Sequence, residues 1–116
     1  MHELSVVLEI IKSVEKYAET NEVGRIEKLV LEIGELSSVV PRYIESVYPA
    51  AVKDTILKDA ELAIEILPAD ARCKACGKVF NVREFRAVCP DCGGKDLELL
   101  GGREFNIKEL VVVDEA

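Results

Sequence analysis

The stretch Cys73–Gly93, CKACGKVFNVREFRAVCPDCG, carries all four cysteines of the 116-residue chain as two short pairs, Cys73-Lys74-Ala75-Cys76-Gly77 and Cys89-Pro90-Asp91-Cys92-Gly93. Two such knuckles separated by a modest loop let four thiolates surround one tetrahedral ion. A glycine follows each pair. Lacking a Cβ, Gly77 and Gly93 can take left-handed backbone angles, so the chain turns tightly and its amides point toward the sulfurs. Four protein ligands fill a tetrahedron and leave no position for water or substrate, so such an ion stabilises a fold rather than doing chemistry. Zinc is the default occupant. Iron also accepts four thiolates, which leaves rubredoxin-like electron transfer as a competitor, and the bland alternative is four unrelated or reversibly paired cysteines.

Outward from the knuckles the pattern changes to strands. Leu62, Ile64 and Ile66 alternate with Glu61, Ala63 and Glu65 before Pro68 stops the run. Beyond the cysteines, Phe105, Ile107, Val111 and Val113 share one parity with Glu109, and that charge predicts a bulge or an exposed stretch. The cysteine-rich segment therefore reads as an insertion between two strands. Toward the N-terminus, Leu29, Leu31 and Ile33 alternate with Lys28, Val30 and Glu32 in a strand that Gly34 closes.

Two helices complete the order. Leu4, Val7, Leu8, Ile11, Val14 and Ala18 recur at helical spacing, which predicts a helix from about residue 4 to 21, with Gly24 permitting the turn that follows. Pro41 suits the first turn of a second helix, with Ser37 or Ser38 as candidate caps and Ile44, Val47, Tyr48, Ala51 and Val52 as its apolar stripe. Pro49 removes the amide that would bond the Glu45 carbonyl, so a kink or early stop is expected there. The whole predicts an α+β fold: two helices packed on a small three-stranded mixed sheet, with an inserted four-cysteine zinc-ribbon domain. Its domains are residues 1–69 plus 103–116, and residues 70–102.

Hydrophobic residues make up 49% of the chain and aromatics 5%, which points to an aliphatic core of Leu, Ile and Val. The net charge of −7 is spread along the sequence and disfavours phosphate backbones or anionic lipid as general partners. Between Asp70 and Arg103 seven basic residues face five acidic ones, which leaves the remainder at −9. An ion with four thiolates brings the ribbon near neutrality, so nucleic-acid binding by it is not favoured. No apolar run approaches the roughly 20 residues of a membrane span, and Met1-His2-Glu3 lacks the basic start of a signal peptide. A cytoplasmic protein is expected, in which thiols stay reduced and metal ligation is a better reading than disulfides.

His2 is the only histidine. A bulky second residue generally blocks removal of the initiator methionine, so the Met1 amine, the His2 backbone nitrogen and the nearer His2 ring nitrogen could close two chelate rings around one ion. Deprotonating a backbone amide selects Ni(II) or Cu(II), which favour square-planar nitrogen ligation, over zinc or magnesium. Glu3 could complete or shield the fourth position. Taken alone, however, a histidine here is usually a solvated side chain, and Glu3 a favourable charge near a helix N-terminus. A zinc-ribbon adaptor that binds protein or nucleic acid, with His2 incidental, is the rival. An enzyme is the weakest reading, since there is no second histidine, open metal site or phosphate-cradling loop, and carboxylates such as Glu32 and Glu35 read as surface or strand-exposed charges.

The opening Met1-His2-Glu3-Leu4-Ser5, the segment Leu31-Glu32-Ile33-Gly34-Glu35-Leu36-Ser37 and the paired knuckles together resemble the HypA/HybF family of hydrogenase maturation factors. The resemblance spans nearly the whole chain. It implies a metallochaperone with Ni(II) as transported cargo, bound at Met1, His2, their backbone nitrogens and Glu3, on the domain of residues 1–69 plus 103–116. It implies structural Zn(II) at Cys73, Cys76, Cys89 and Cys92. As partners it implies the nickel-loading GTPase HypB and the large subunit of [NiFe]-hydrogenase, served by a monomer or weak dimer.

Overall fold

A computed structural model of the chain describes residues 3–113. The first helix, α1 (Glu3–Thr20), buries Val7, Ile10, Ile11, Val14 and Ala18. Leu4 and Leu8, which the spacing assigns to the inner face, are 51% and 50% exposed, because they sit at the rim of an apolar arc centred on Val7 and Val14. The helix stops at Asn21, whose side-chain and backbone N–H groups both donate to the Tyr17 carbonyl. Glu22 then takes the left-handed seat, with φ 54°, and the Val23 amide closes back onto the Ala18 carbonyl at 2.8 Å. The turn expected at Gly24 is therefore made two residues earlier, by a glutamate in the position glycine usually fills.

Strand β1 (Ile26–Gly34) is the centre of a three-stranded sheet, between β2 (Glu61–Leu67) and β6 (Phe105–Val112). It pairs in parallel with β2 (Glu61–Leu67), aligning Leu29 with Leu62 and Ile33 with Ile66. Parallel neighbours need a crossover, and α2 (Pro41–Ala51) supplies it. Pro49 lies two residues before the end of α2, where few intrahelical bonds remain to be lost. Neither Ser37 nor Ser38 caps this helix. Ser37 instead accepts the Val39 amide at 3.2 Å, and the N-cap, Val40, has no side-chain cap of its own. The buried arc of α2 is Ile44 and Tyr48, continued by Val52 beyond its end, and the Tyr48 hydroxyl donates to the Ala60 carbonyl at 3.1 Å. Burial pushes that phenol up to about 12.

Strand β6 (Phe105–Val112) runs antiparallel to β1 and carries the bulge, because Leu31 pairs with Ile107 while the adjacent Val30 pairs with Glu109. Lys108 is the extra residue. After it the parity changes, so Leu110, opposite Leu29, packs against the core rather than Val111. Released from the ladder, Lys108 reaches Glu65 at 2.7 Å. One aliphatic core lies between the helices and the sheet, built on Ile26, Leu29, Leu31, Ile44 and Leu57.

The cysteine segment forms a second sheet, of order β4-β3-β5, from β3 (Asp70–Cys73), β4 (Val79–Asn81) and β5 (Leu97–Leu99), all antiparallel. Its small core is Phe80 with Cys73 and Cys89, flanked by Val82 and Leu97, and it does not merge with the larger one.

Where the two sheets meet, Gly34 packs backbone to backbone. A Cβ there would overlap the carbonyl carbon and oxygen of Gly102, while the Leu36 amide donates to the Gly102 carbonyl at 2.6 Å. Gly34→Ala must push the end of β1 away from the segment that holds Gly102, and the expected loss is about 1–3 kcal/mol in urea unfolding.

Glu35 follows immediately, and it is not a surface charge. Its side chain is 18% exposed and its Oε2 accepts the Ala69 amide at 2.8 Å and the Asn81 side-chain amide at 3.0 Å. The Arg83 guanidinium stands 3.7 Å from Oε1. The Ala69 bond, then that from Asn81 and the Arg83 charge hold this carboxyl below its ordinary 4.5 despite some desolvation. A depressed carboxylate stabilises the fold fully above its unfolded pKa and loses that contribution as pH falls through the folded value. Glu35→Gln is therefore expected to lower stability at neutral pH and to flatten the acid limb of the stability curve, as read by urea titrations from pH 7 to 3.

Candidate metal centre

The two knuckles are built alike. In the first, the Cys73 amide donates to the Lys78 carbonyl and the Gly77 amide to the Cys73 carbonyl; in the second, the Cys89 amide donates to Gly94 and the Gly93 amide to Cys89. Gly77 and Gly93 have φ of 82° and 74°, the left-handed turn that their place after each pair predicts. Gly94 is needed for a different reason, since a Cβ there would come within 3.3 Å of the Cys92 sulfur and 3.4 Å of the Cys73 sulfur.

This folding brings all four sulfurs to within 4.8 Å of one another, with Cys73 to Cys92 and Cys76 to Cys89 each 3.5 Å apart. Metal–thiolate bonds of about 2.3 Å in a tetrahedron require sulfur separations of roughly 3.8 Å. The donor set thus fits one such ion with little movement. Cys73 and Cys89 are buried, whereas Cys76 and Cys92 face outward.

The backbone supplies positive potential to the sulfurs. The Cys76 amide, with that of Ala75, draws the Cys73 thiol down to about 7 against the cost of burial. Burial raises Cys89, but the amides of Cys92 and Asp91 outweigh it and the net direction is down. In Cys76 the Lys78 amide is overcome by the Cys89 sulfur and by burial, which push that thiol up to about 12. For Cys92 the Gly94 amide is likewise overcome by the sulfurs of Cys73 and Cys89. Within each knuckle the amides lower one thiol while neighbouring sulfurs raise the other. All four must shed their protons to bind an ion as thiolates, so metal is held less tightly as pH falls.

Of the other expected site residues, Met1 and His2 lie outside the described residues. Glu3 is described, and it is 6% exposed in the first turn of α1. Its Oε2 faces the Val40 amide at 3.5 Å, a long contact at the uncapped start of α2. It thus brings acidic charge to a helix N-terminus on another element, which spacing along one helix does not reveal. The four cysteines are brought together as their spacing indicates. Glu35 is the residue that the sequence reading placed wrongly, and its partners lie 34 and 46 positions away.

Among the described residues no helix is long and apolar enough to cross a membrane. The profile of the HypA family, described as hydrogenase/urease nickel incorporation, metallochaperone, matches residues 1–112. The hydrogenase maturation factor HypA of Geobacter metallireducens is 40% identical over 112 residues, covering 97% of this chain and 99% of the relative. That of Dehalococcoides mccartyi strain 195 is 35% identical over 116 residues, covering 100% and 98%. Among solved structures, the solution structure of the Ni metallochaperone HypA from Helicobacter pylori superposes with a TM-score of 0.68 at 30% identity, covering 99% of this chain and all of that one. With the two-helix, mixed-sheet architecture and the four-cysteine cluster on a separate small sheet, these similarities identify the chain as a member of the HypA family.

Proposed function

We propose that this chain is a nickel carrier for hydrogenase maturation, binding Ni(II) as cargo at its N-terminus and one structural Zn(II) at Cys73, Cys76, Cys89 and Cys92. The observation that carries the reading is the family match across residues 1–112, a span that includes His2 and both knuckles. Zinc is favoured because it is content with four thiolates and has no redox chemistry to be protected from solvent at Cys76 and Cys92. Nickel is favoured at the N-terminus because a Met1 amine, a His2 amide nitrogen and a His2 ring nitrogen form a planar donor set. Glu3, held beside the start of α2, supplies the fourth position or shields it.

The separate apolar clusters support a division of labour. Residues 1–69 plus 103–116 form the nickel-binding domain and residues 70–102 the zinc-binding domain. A chelate on a chain terminus leaves one side of the ion open, so a recipient can replace its ligands one at a time while the domain stays folded. The partners are the GTPase HypB and the large subunit of [NiFe]-hydrogenase, met in the cytoplasm. The protein is a carrier, and turnover belongs to the enzyme it serves.

The test is complementation. In a strain lacking its own HypA, the chain is expected to restore nickel-dependent hydrogenase activity and His2→Ala is expected not to. A parent chain that neither binds HypB nor restores activity would overturn the delivery role.

A further inference from the structure

We infer that Glu35 is a latch: its single carboxylate fixes the angle of the cysteine ribbon on the helix-bearing sheet, and without it the ribbon swings while both parts stay folded. Among the described residues, every side-chain hydrogen bond and ion pair that joins residues 70–100 or the linker residue Ala69 to the helix-bearing part ends on Glu35. These are the bonds from the Ala69 amide and the Asn81 side chain and the ion pair with Arg83. The remaining bonds at the junction secure only the linkers. Glu35 N–H donates to the Leu67 carbonyl and Leu36 N–H to the Gly102 carbonyl, on the helix-bearing side of the hinge.

Apolar packing does not substitute for the latch. The two cores share no residue, and beside Glu35 the space between the parts is a cleft of about 330 Å³ bounded by Gly34, Val40, Pro41, Ile66 and Arg83. Ile66, on the wall of that cleft, is 52% exposed.

The linkers suit a hinge. The outgoing one is only Pro68-Ala69, and the returning one contains the pair Gly101-Gly102, with Gly102 at φ 112°. All strand pairing and all four sulfurs lie inside one part or the other, so the side-chain contacts that rotation about these linkers breaks are those of one carboxylate. The carboxylate is held ionised by those same contacts, which keeps the latch closed at neutral pH.

The test is rigid-body alignment by NMR on the zinc-loaded full chain, without nickel or partner, so its outcome is independent of the delivery role. Residual dipolar couplings of the parent are expected to fit one alignment tensor. In Glu35→Ala the common tensor is lost, the ribbon aligns more weakly than the sheet, and zinc stays at one per chain. If Glu35→Ala does not fold, Glu35→Leu decides, because it keeps the bulk of the side chain but removes both acceptor oxygens and the charge, and two tensors are again expected. A folded variant that fits one tensor like the parent overturns the latch. So does loss of zinc or of ribbon chemical-shift dispersion, since Glu35 would then be holding the ribbon's fold rather than its angle.

Discussion

Cys89→Ser is expected to strip the ion from the ribbon and unfold residues 70–102 while leaving the helix-bearing sheet intact. The small core of the ribbon is Phe80 with two of the cysteines themselves, so almost nothing remains once the ion is gone. In small zinc-binding peptides the apparent binding free energy is about 10–16 kcal/mol, far more than so small a core can replace. Cys89 is the severe choice because it is buried and receives the amides of Cys92 and Asp91, which a serine hydroxyl would leave poorly matched. The larger core contains no residue of the ribbon, so its amide resonances should persist. Metal analysis and a proton–nitrogen correlation spectrum check both halves. A variant that keeps one zinc and a dispersed ribbon contradicts the four-thiolate site.

The second large effect concerns the cargo. His2→Ala is expected to abolish stoichiometric Ni(II) binding with zinc untouched, because the variant loses the ring nitrogen that anchors the chelate. Extending the N-terminus by two residues should weaken nickel binding strongly, since the amine is then no longer adjacent to His2. The absorbance band of planar nitrogen-ligated nickel should disappear in both. Unchanged affinity in the extended protein would sink the amine chelate and leave a side-chain site.

What could be read from sequence follows how local each cause is. The knuckles were legible because a spacing of two residues and a following glycine fix their geometry without reference to the rest of the chain. The helices and strands were legible through periodicity, and so was the end of α1 near Asn21, but the turn that follows was not, because Glu22 gave no compositional sign that it would occupy a left-handed seat. In β6 the charge at Glu109 marked the bulge, yet the exchange of Leu110 for Val111 on the core face depends on which β1 residue each one meets. The serines before α2 were plausible caps, and only the fold shows Glu3 arriving there from α1. Glu35 was the hardest to read. An acidic residue at the end of a strand reads as a surface charge, and its importance comes from Ala69 in the linker and from Asn81 and Arg83 in the insertion.

The most direct measurement is metal analysis of the untagged protein with its native N-terminus, before and after addition of one equivalent of Ni(II) and removal of the unbound excess. The expected result is one zinc per chain throughout and one nickel gained, with zinc neither displaced nor increased. No nickel retained, or nickel gained only as zinc is lost, would contradict separate cargo and structural sites.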